Sequence, residues 1–231
     1  MNSPQFIIFD NFKAYPRLVC VFSTRKGGIS VKDYQSLNLG LKTGDRNEFI
    51  IENRRRFFNE INVNSSQIAY SDQVHSGHVE CVADSGIYRQ TDALITDKLN
   101  LFLTIQTADC FPVFLYGKKK SIVAAIHAGW RGVFNNIIEN TVGMAIEKFR
   151  VDPADIIAAI GPGLQRECFE IRRDVFNLID DKYLSDHPEK EKKYFDLRQT
   201  IYDRLLMQGI GAENIDKSEI CTKCDRENFF S

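Results

Sequence analysis

The sequence predicts an α/β fold of the α+β type, formed as one domain over residues 1–231 around a mixed β-sheet. Short apolar runs rich in β-branched and aromatic residues recur along the chain, and such runs are typical of strands. Only a few segments show the 3.6-residue periodicity of a helix. Of the 231 residues 43% are apolar, and 17 are Phe, so the chain can bury a substantial core. No low-complexity linker or internal repeat divides it.

Eight apolar runs are predicted to be strands because they are short and bounded by polar or glycine-containing turns. They are Gln5–Phe9, Leu18–Phe22, His78–Val82, Asp92–Thr96, Leu101–Thr107, Pro112–Tyr116, Ile122–His127 and Ile156–Ile160. The strands between residues 101 and 127 follow one another closely, without room for a crossover helix. At least part of the sheet is therefore expected to be antiparallel.

Two longer segments carry helical periodicity. Asp45 is a candidate N-cap, with Glu48 completing a capping box, for a helix that runs to about Ile61. A second helix is predicted over residues 132–149, and Asp152-Pro153 ends it. The last third of the chain is more helical and charged, with segments at about 174–181, 200–207 and 218–230.

Charge and hydropathy narrow the classes of partner. Lys and Arg total 30 and Asp and Glu total 31, so the formal net charge is −1. A near-neutral chain lacks the electrostatic attraction of a general nucleic-acid binder. No charge-free window approaches the ~18 apolar residues of a membrane span. No basic stretch precedes the short apolar run near the N-terminus, which predicts a cytoplasmic protein.

Six cysteines occur at wide spacings in a chain without a secretory leader, which indicates reduced thiols rather than a disulfide framework. They are Cys20, Cys81, Cys110, Cys168, Cys221 and Cys224. The pair Cys221 and Cys224 forms an isolated CxxC, for which burial is expected ahead of a zinc or redox role.

Three segments place metal-binding residue types at the ends of predicted strands. They are DQVHSGH (72–78), TADCFP (107–112) and AIHAGWRG (125–132). Loops at strand ends are where functional sites are usually built, and small neighbouring residues leave room for a ligand. His75, Cys110 and His127 make a credible zinc set, since zinc accepts imidazole nitrogen and thiolate sulfur and a catalytic site keeps one open position. The ligands are 35 and 17 residues apart, which matches no local zinc-finger spacing.

The same residues allow other chemistry, and spacing alone does not choose. From spacing alone, a residue of each of these types is more often an ordinary buried residue of the core. Cys110 and His127 could form a nucleophile–base pair, with Asp109 or His75 orienting the imidazole. A trigonal copper site is a third alternative, although that type usually needs an axial Met. The methionines are Met1, Met144 and Met207.

The motifs STRKGGIS, SLNLG, DQVHSGHV, TDALIT, TADCFPVFL, HAGWRG and IGPG occur in this order. Together they closely resemble the YfiH-like family, which carries the label of multicopper polyphenol oxidoreductase or laccase-domain protein. Its members are associated with purine nucleoside phosphorylase activity. The resemblance extends from about Val19 to Phe230, and the ADC and HAGWRG motifs are its most specific part. It implies a layered fold of packed mixed sheets with outer helices, similar to the catalytic domain of cytotoxic necrotizing factor toxins.

The resemblance also implies roles for individual residues. His75, Cys110 and His127 match the family's zinc ligands and would form its catalytic centre, whereas His78 falls at a variable position. Four residues match polar positions near the pocket and are expected to contact nucleoside or phosphate: Arg25, Asn38, Gln73 and Arg131. The implied substrates are phosphate and a purine nucleoside, namely adenosine, inosine, guanosine or methylthioadenosine. Adenosine deamination is a second implied activity.

Two rival functions stay open at this point. Bacterial members have been connected with editing of peptidoglycan precursors, which would make the site hydrolytic. A non-catalytic zinc module would instead close the site with a fourth ligand such as His78 or Asp109. Multicopper laccase chemistry is rejected because four His in the whole chain cannot form a copper cluster in addition to the pair His75 and His127. Copper could still bind adventitiously at the zinc site.

Overall fold

The computed structural model describes residues 3–231. Its strands are β1 (Phe6–Ile8), β2 (Val21–Ser23), β3 (Ile68–Asp72), β4 (Val79–Cys81), β5 (Gly86–Arg89), β6 (Ala93–Thr96), β7 (Phe102–Thr104), β8 (Phe111–Gly117), β9 (Ile122–Ala128), β10 (Ile156–Ile160), β11 (Glu170–Arg172), β12 (Leu184–Asp186), β13 (Lys192–Phe195) and β14 (Ile215–Lys217). Its α-helices are α1 (Asn47–Glu60), α2 (Trp130–Phe134), α3 (Ile137–Phe149), α4 (Arg173–Phe176) and α5 (Leu197–Met207).

A mixed sheet in the order β14-β10-β8-β9-β6-β4 forms the centre of the molecule. Its two outer pairs, β14 with β10 and β6 with β4, are parallel, and the pairs between them are antiparallel. The predicted antiparallel arrangement of the strands before residue 127 is therefore confirmed for β8 and β9. Their register places Pro112 opposite His127, which fixes the position of one candidate ligand.

Both faces of this sheet are covered, which explains why its strands read as nearly continuous apolar runs. Alternate residues of β10 point to opposite sides: Ile156 and Ile160 join the main core with α3 and α5, whereas Ile157 joins a second cluster. That second cluster contains Phe9 and Phe12 from the N-terminal segment. The two-residue period of the strand thus supplies two separate cores.

Two three-stranded sheets flank the central one. The sheet β5-β3-β7 is parallel, and its strand β3 leads into the loop that carries His75. The sheet β11-β13-β12 is antiparallel. The molecule is therefore a mixed α/β structure with several sheets and few helices, as the sequence predicts. Within residues 3–231, no helix is long and apolar enough to cross a bilayer.

The helix predictions need four corrections. Helix α1 begins at Asn47 without a side-chain cap, because the Asp45 carboxylate instead accepts hydrogen bonds from Ser30 and Asn38. The helix predicted over residues 132–149 is two helices, since Asn136 adopts a left-handed conformation with φ of 60° between them. The segment 218–230 forms turns rather than a helix, and the segment 174–181 contains only the one-turn helix α4.

Candidate metal centre

Three separate segments bring their candidate ligands to one edge of the central sheet. His75 lies in the loop between β3 and β4, Cys110 directly precedes β8, and His127 is the penultimate residue of β9. The ligand atoms of these three side chains all lie within 4.8 Å of one another. The two imidazole rings meet edge to face, with centroids 4.7 Å apart. His127 is buried, Cys110 is half-buried and His75 is exposed, so the cluster opens to solvent on one side.

Glycines make this close approach possible. A Cβ on Gly129 would lie 2.9 Å from the Sγ atom of Cys110 and 3.2 Å from Cδ2 of His75. A Cβ on Gly77 would lie 1.9 Å from the carbonyl oxygen of Asn135, where the His75 loop packs against the end of α2. Sterics thus require glycine at both positions, Gly129 at the ligand cluster and Gly77 where the His75 loop meets α2.

A buried carboxylate, that of Asp92, organises two of the three ligands. Its Oδ1 atom accepts a hydrogen bond from Nδ1 of His127 at 2.8 Å and from the backbone N–H of His75 at 2.9 Å. Its Oδ2 atom accepts from the backbone N–H groups of Val74 and Ser76 and from the Ser76 hydroxyl. Asp92 therefore fixes both the ring of His127 and the loop that carries His75. The backbone of His75 in that loop has a φ of 63°.

The hydrogen bonds set the charge states at the centre. Burial by itself raises the pKa of Asp92, but the hydrogen bonds from His127 and Ser76 lower it to about 2. Burial has the opposite effect on the imidazole of His127 and lowers its pKa, but the interactions with Asp92 and Cys110 raise that pKa to about 9. Burial and the nearby His127 and Arg131 lower the pKa of His75. Asp92 is thus an anion, and His75 is neutral and ready to donate a lone pair.

The donor set fits a zinc ion. One thiol and two imidazoles converge, and Asp92 occupies Nδ1 of His127, which leaves Nε2 as its ligand atom. A carboxylate that holds the far nitrogen of a ligating imidazole is the usual arrangement in zinc sites. Three protein ligands with an open side match a catalytic rather than a structural site.

Comparisons with known proteins identify the family of this chain. Residues 19–231 match the family model described as multi-copper polyphenol oxidoreductase laccase. The chain belongs to this family. It is 34% identical to the purine nucleoside phosphorylase YfiH of Escherichia coli, over 90% of this chain and 85% of the relative. It is 30% identical to the purine nucleoside phosphorylase YlmD of Bacillus subtilis, over 93% and 82% respectively.

Solved structures of the YfiH and YlmD proteins have the same fold. The structure of YlmD from Geobacillus stearothermophilus superimposes with a TM-score of 0.89 at 27% identity, over 95% of this chain and 87% of that one. The YfiH protein of Bacillus licheniformis gives a TM-score of 0.88 at 31% identity, over 91% and 85%. The similarity to YfiH-like proteins predicted from the motifs is thus confirmed.

The other predicted contact residues lie in different surroundings. Gln73 forms a reciprocal pair of hydrogen bonds with the backbone of Gln106 and so ties the His75 loop to the segment before Cys110. Arg131 is exposed, lies over the ring of Trp130 and acts electrostatically on His75. Of the two, Arg131 offers a positive charge beside the open side of the cluster.

Arg25 and Asn38 line a cavity of about 1360 Å³ whose wall also includes Thr107 and Ala108, just before the Cys110 segment. The Arg25 guanidinium donates to backbone carbonyl oxygens, including that of Gln35, and stacks on the ring of Phe230. The Asn38 side chain is bonded to Thr43, Asp45 and the backbone of Gly40. Both side chains therefore hold neighbouring backbone and loop residues in place.

The residues of the alternative sites, Asp109, His78 and the methionines, do not lie where those alternatives require them. The residue that orients His127 is Asp92 rather than Asp109, whose carboxylate accepts from the Thr222 hydroxyl at 2.8 Å. His78 is half exposed, 3.4 Å from Glu80, and does not join the ligand cluster of the described chain. The axial Met that a trigonal copper site usually needs is not seen among the described residues at the cluster. Met144 packs against the main core and Met207 is exposed, whereas Met1 lies outside the described residues.

Two groups were missed by sequence reasoning. Asp92 begins a predicted strand, where an Asp is usually a turn or cap residue, and its TDALIT motif was the available indication. Cys168 lies beside Cys221 and Cys224, and Cys224 is exposed, so the expected burial of the CxxC pair is wrong for Cys224.

Proposed function

We propose that this protein is a zinc-dependent purine nucleoside phosphorylase. The observation that carries the proposal is the convergence of His75, Cys110 and His127 on one open position, with Asp92 fixing the second nitrogen of His127. The relatives that bear the name purine nucleoside phosphorylase support the same reaction class. Reduced thiols and the absence of pairing among the described cysteines favour a cytoplasmic location.

The zinc ion, when bound, supplies a Lewis acid for an oxygen of phosphate or of the substrate. The protein's own residues bind and orient around it. His75, Cys110 and His127 would hold the ion, and Asp92 keeps the proton of His127 on Nδ1. Arg131 would contact the phosphate, because a guanidinium binds phosphate oxygens in pairs. Arg25, Asn38 and Gln73 stay proposed contacts of nucleoside or phosphate. Their hydrogen bonds to neighbouring backbone support a role in shaping the substrate pocket.

The reaction breaks the bond between C1′ of the ribose and the purine nitrogen, while a phosphate oxygen forms a new bond to C1′. The products are the free base, which takes up a proton at the ring nitrogen, and ribose 1-phosphate. The charge of Arg131 beside the cluster would hold phosphate close to the sugar, which lowers the barrier through proximity. Adenosine, inosine, guanosine and methylthioadenosine are the proposed substrates.

A paired product assay tests the proposal. Zinc-loaded protein is given adenosine or inosine with and without phosphate, and the products are separated by chromatography. We expect phosphate-dependent release of adenine and hypoxanthine, abolished in Cys110→Ala. Cys81→Ala is the matched control, because the Cys81 side chain packs against the main core away from the cluster. Release of base without phosphate, or equal turnover by Cys110→Ala, would refute the phosphorylase. Formation of inosine from adenosine would show deamination at the same centre.

The geometry also favours a second candidate, a cysteine hydrolase. The Cys110 sulfur and the His127 imidazole lie within 4.8 Å of each other, and Asp92 holds Nδ1 of that ring, which is the order of a thiol–imidazole–carboxylate triad. Such an enzyme would act on an ester or amide, as in editing of a peptidoglycan precursor. It would retain activity after chelation and lose activity on alkylation of Cys110, whereas the phosphorylase would be lost on chelation and restored by zinc.

A further inference from the structure

A second cluster of sulfur atoms lies outside the candidate centre. The Sγ atoms of Cys168, Cys221 and Cys224 all lie within 4.8 Å of one another, and those of Cys168 and Cys224 are 3.4 Å apart. All three cysteines are free thiols. A zinc–thiolate bond of ~2.3 Å separates the sulfurs of a tetrahedral site by about 3.8 Å. The thiols are thus already spaced as ligands of one ion.

We propose that Cys168, Cys221 and Cys224 form a second metal centre that binds Zn²⁺ through three thiolates. The spacing of Cys221 and Cys224 is the C-x2-C of many structural zinc sites. Cys168 is the third ligand, supplied from the loop after β10. Cys224 is exposed, so the fourth position is open to solvent.

The backbone places Cys221 beside the loop that carries Cys168. A parallel β-bridge joins Cys221 to Gly163, which precedes Cys168 in that loop. The thiolate is the form of cysteine that binds a metal.

The two segments that carry the ligands are also joined by hydrogen bonds between protein groups. The backbone N–H of Thr222 donates to the carbonyl oxygen of Gly163 at 3.2 Å. The side-chain amide of Gln165 donates to the carbonyl oxygen of Ile220 at 3.1 Å. The ligands therefore converge without the ion, so binding would not require the loops to reorganise.

The second centre lies next to the segment that supports the first. Thr222, between two of its ligands, donates its hydroxyl to Asp109, the neighbour of Cys110. The carbonyl oxygen of Asn228 accepts from the backbone N–H of Arg25 at 2.8 Å. A zinc ion on the three cysteines would thus hold residues 221–228 against the loop after β10. Through the hydrogen bonds of Thr222 and Asn228 it would also hold Asp109 and Arg25 in place.

Metal content and cobalt spectra test this proposal separately from the proposed function. The full chain, reduced and loaded with Zn²⁺, is freed of excess ion and its zinc is quantified. We expect two equivalents in the wild type, one in Cys110→Ser, one in Cys224→Ser and none in the double variant. Cys81→Ser is the matched control and should keep both. With Co²⁺ as the probe, Cys110→Ser protein should keep a thiolate-to-cobalt charge-transfer band, and adding Cys224→Ser should abolish it.

Alkylation of the wild type covers the case in which a variant does not fold. Zn²⁺ should protect Cys168, Cys221 and Cys224 from iodoacetamide, and a chelator should restore their labelling, as read by mass spectrometry of each cysteine. Unchanged zinc content and cobalt spectrum in Cys224→Ser and Cys168→Ser would overturn the proposal. So would labelling that zinc does not affect, or a Cys168–Cys224 disulfide that forms even in the presence of zinc.

Discussion

Replacing Asp92 with Asn tests how the candidate centre is organised. The amide keeps the size of the carboxylate but has one acceptor oxygen, whereas Oδ1 and Oδ2 of Asp92 together accept five hydrogen bonds. The oxygen will stay on the side of Val74 and Ser76, where it meets three donors. The amide NH₂ then faces the N–H of His75 and Nδ1 of His127. The His75 N–H loses its partner, and the His127 ring must accept at Nδ1 and carry its proton on Nε2.

Two magnitudes follow from that rearrangement. One lost hydrogen bond to a buried charge lowers the free energy of unfolding by about 1.5–3 kcal/mol. The wrong tautomer of His127 weakens zinc binding by about 10–100-fold, the usual effect of removing a partner of a ligating imidazole. Competition with a chromogenic chelator measures the zinc affinity, and urea unfolding of the metal-free protein measures stability. Asp97→Asn is the control, because Asp97 is exposed and forms a surface ion pair with Lys98 at 3.1 Å, so both quantities should stay unchanged.

Two outcomes would contradict these roles of Asp92. If Asp92→Asn binds zinc as tightly as the wild type while its stability falls, Asp92 anchors the loop but does not orient His127. If neither quantity changes, the buried hydrogen bonds to Asp92 do not hold the site together at all.

Three further predictions concern positions around this centre and far from it. Gly129→Ala should lower zinc affinity about 10-fold in the chelator competition, because its Cβ would lie 2.9 Å from the Cys110 sulfur, and unchanged affinity would contradict this packing. Gly143→Ala should raise the free energy of unfolding by about 0.5–1 kcal/mol and leave zinc binding intact, because Gly143 lies in the middle of α3 and its new Cβ would meet no neighbouring atom within 4 Å. Destabilisation in urea would contradict this prediction. Burial raises the pKa of Asp45, but its hydrogen bonds hold that pKa below the ordinary value. The ionised carboxylate therefore stabilises the fold at any pH above ~3.9, the pKa of Asp in the unfolded chain. This stabilisation is lost as the pH falls through the lowered pKa of the folded state. Asp45→Asn should therefore be less stable than the wild type at neutral pH and approach it in acid, and a pH-independent difference in urea titrations would refute that.

Five of the six strands of the central sheet were predictable because their information is local, whereas β14 was not predicted. β8, β9 and β10 are apolar on both faces, and their predicted bounds differ from the observed ones by at most one residue. The antiparallel strands β12 and β13 were missed because β13 begins with Lys192 and Lys193 and does not have a strand's usual apolar pattern. The break between α2 and α3 could not be predicted from a proline, because none occurs there. It depends on the left-handed Asn136, a conformation that many sequences adopt only in tertiary context.

The site was predictable only in part, for a related reason. The ligands His75, Cys110 and His127 came from a match to known motifs, since their separations in sequence indicate nothing about distance in space. Asp92 could not be distinguished from a surface Asp without knowing that it is buried. Cys168 could not be joined to Cys221, 53 residues later, without the parallel bridge between Gly163 and Cys221.

The three ligands are held in place by two different parts of the chain. Asp92, at the start of β6, holds the backbone of His75 and the ring of His127. Cys110 has no such contact with Asp92; its neighbour Asp109 has a φ of 78° and is held by the Thr222 hydroxyl. A non-glycine residue with positive φ persists only where its surroundings impose it. Asp109 also accepts a hydrogen bond at its carbonyl oxygen from the backbone N–H of Leu164, at 2.8 Å. The position of the sulfur ligand therefore depends on the C-terminal segment and on the loop after β10. The proposed zinc ion on Cys168, Cys221 and Cys224 would join these two segments, so its loss should loosen the first centre at Cys110 and leave the two histidines in place.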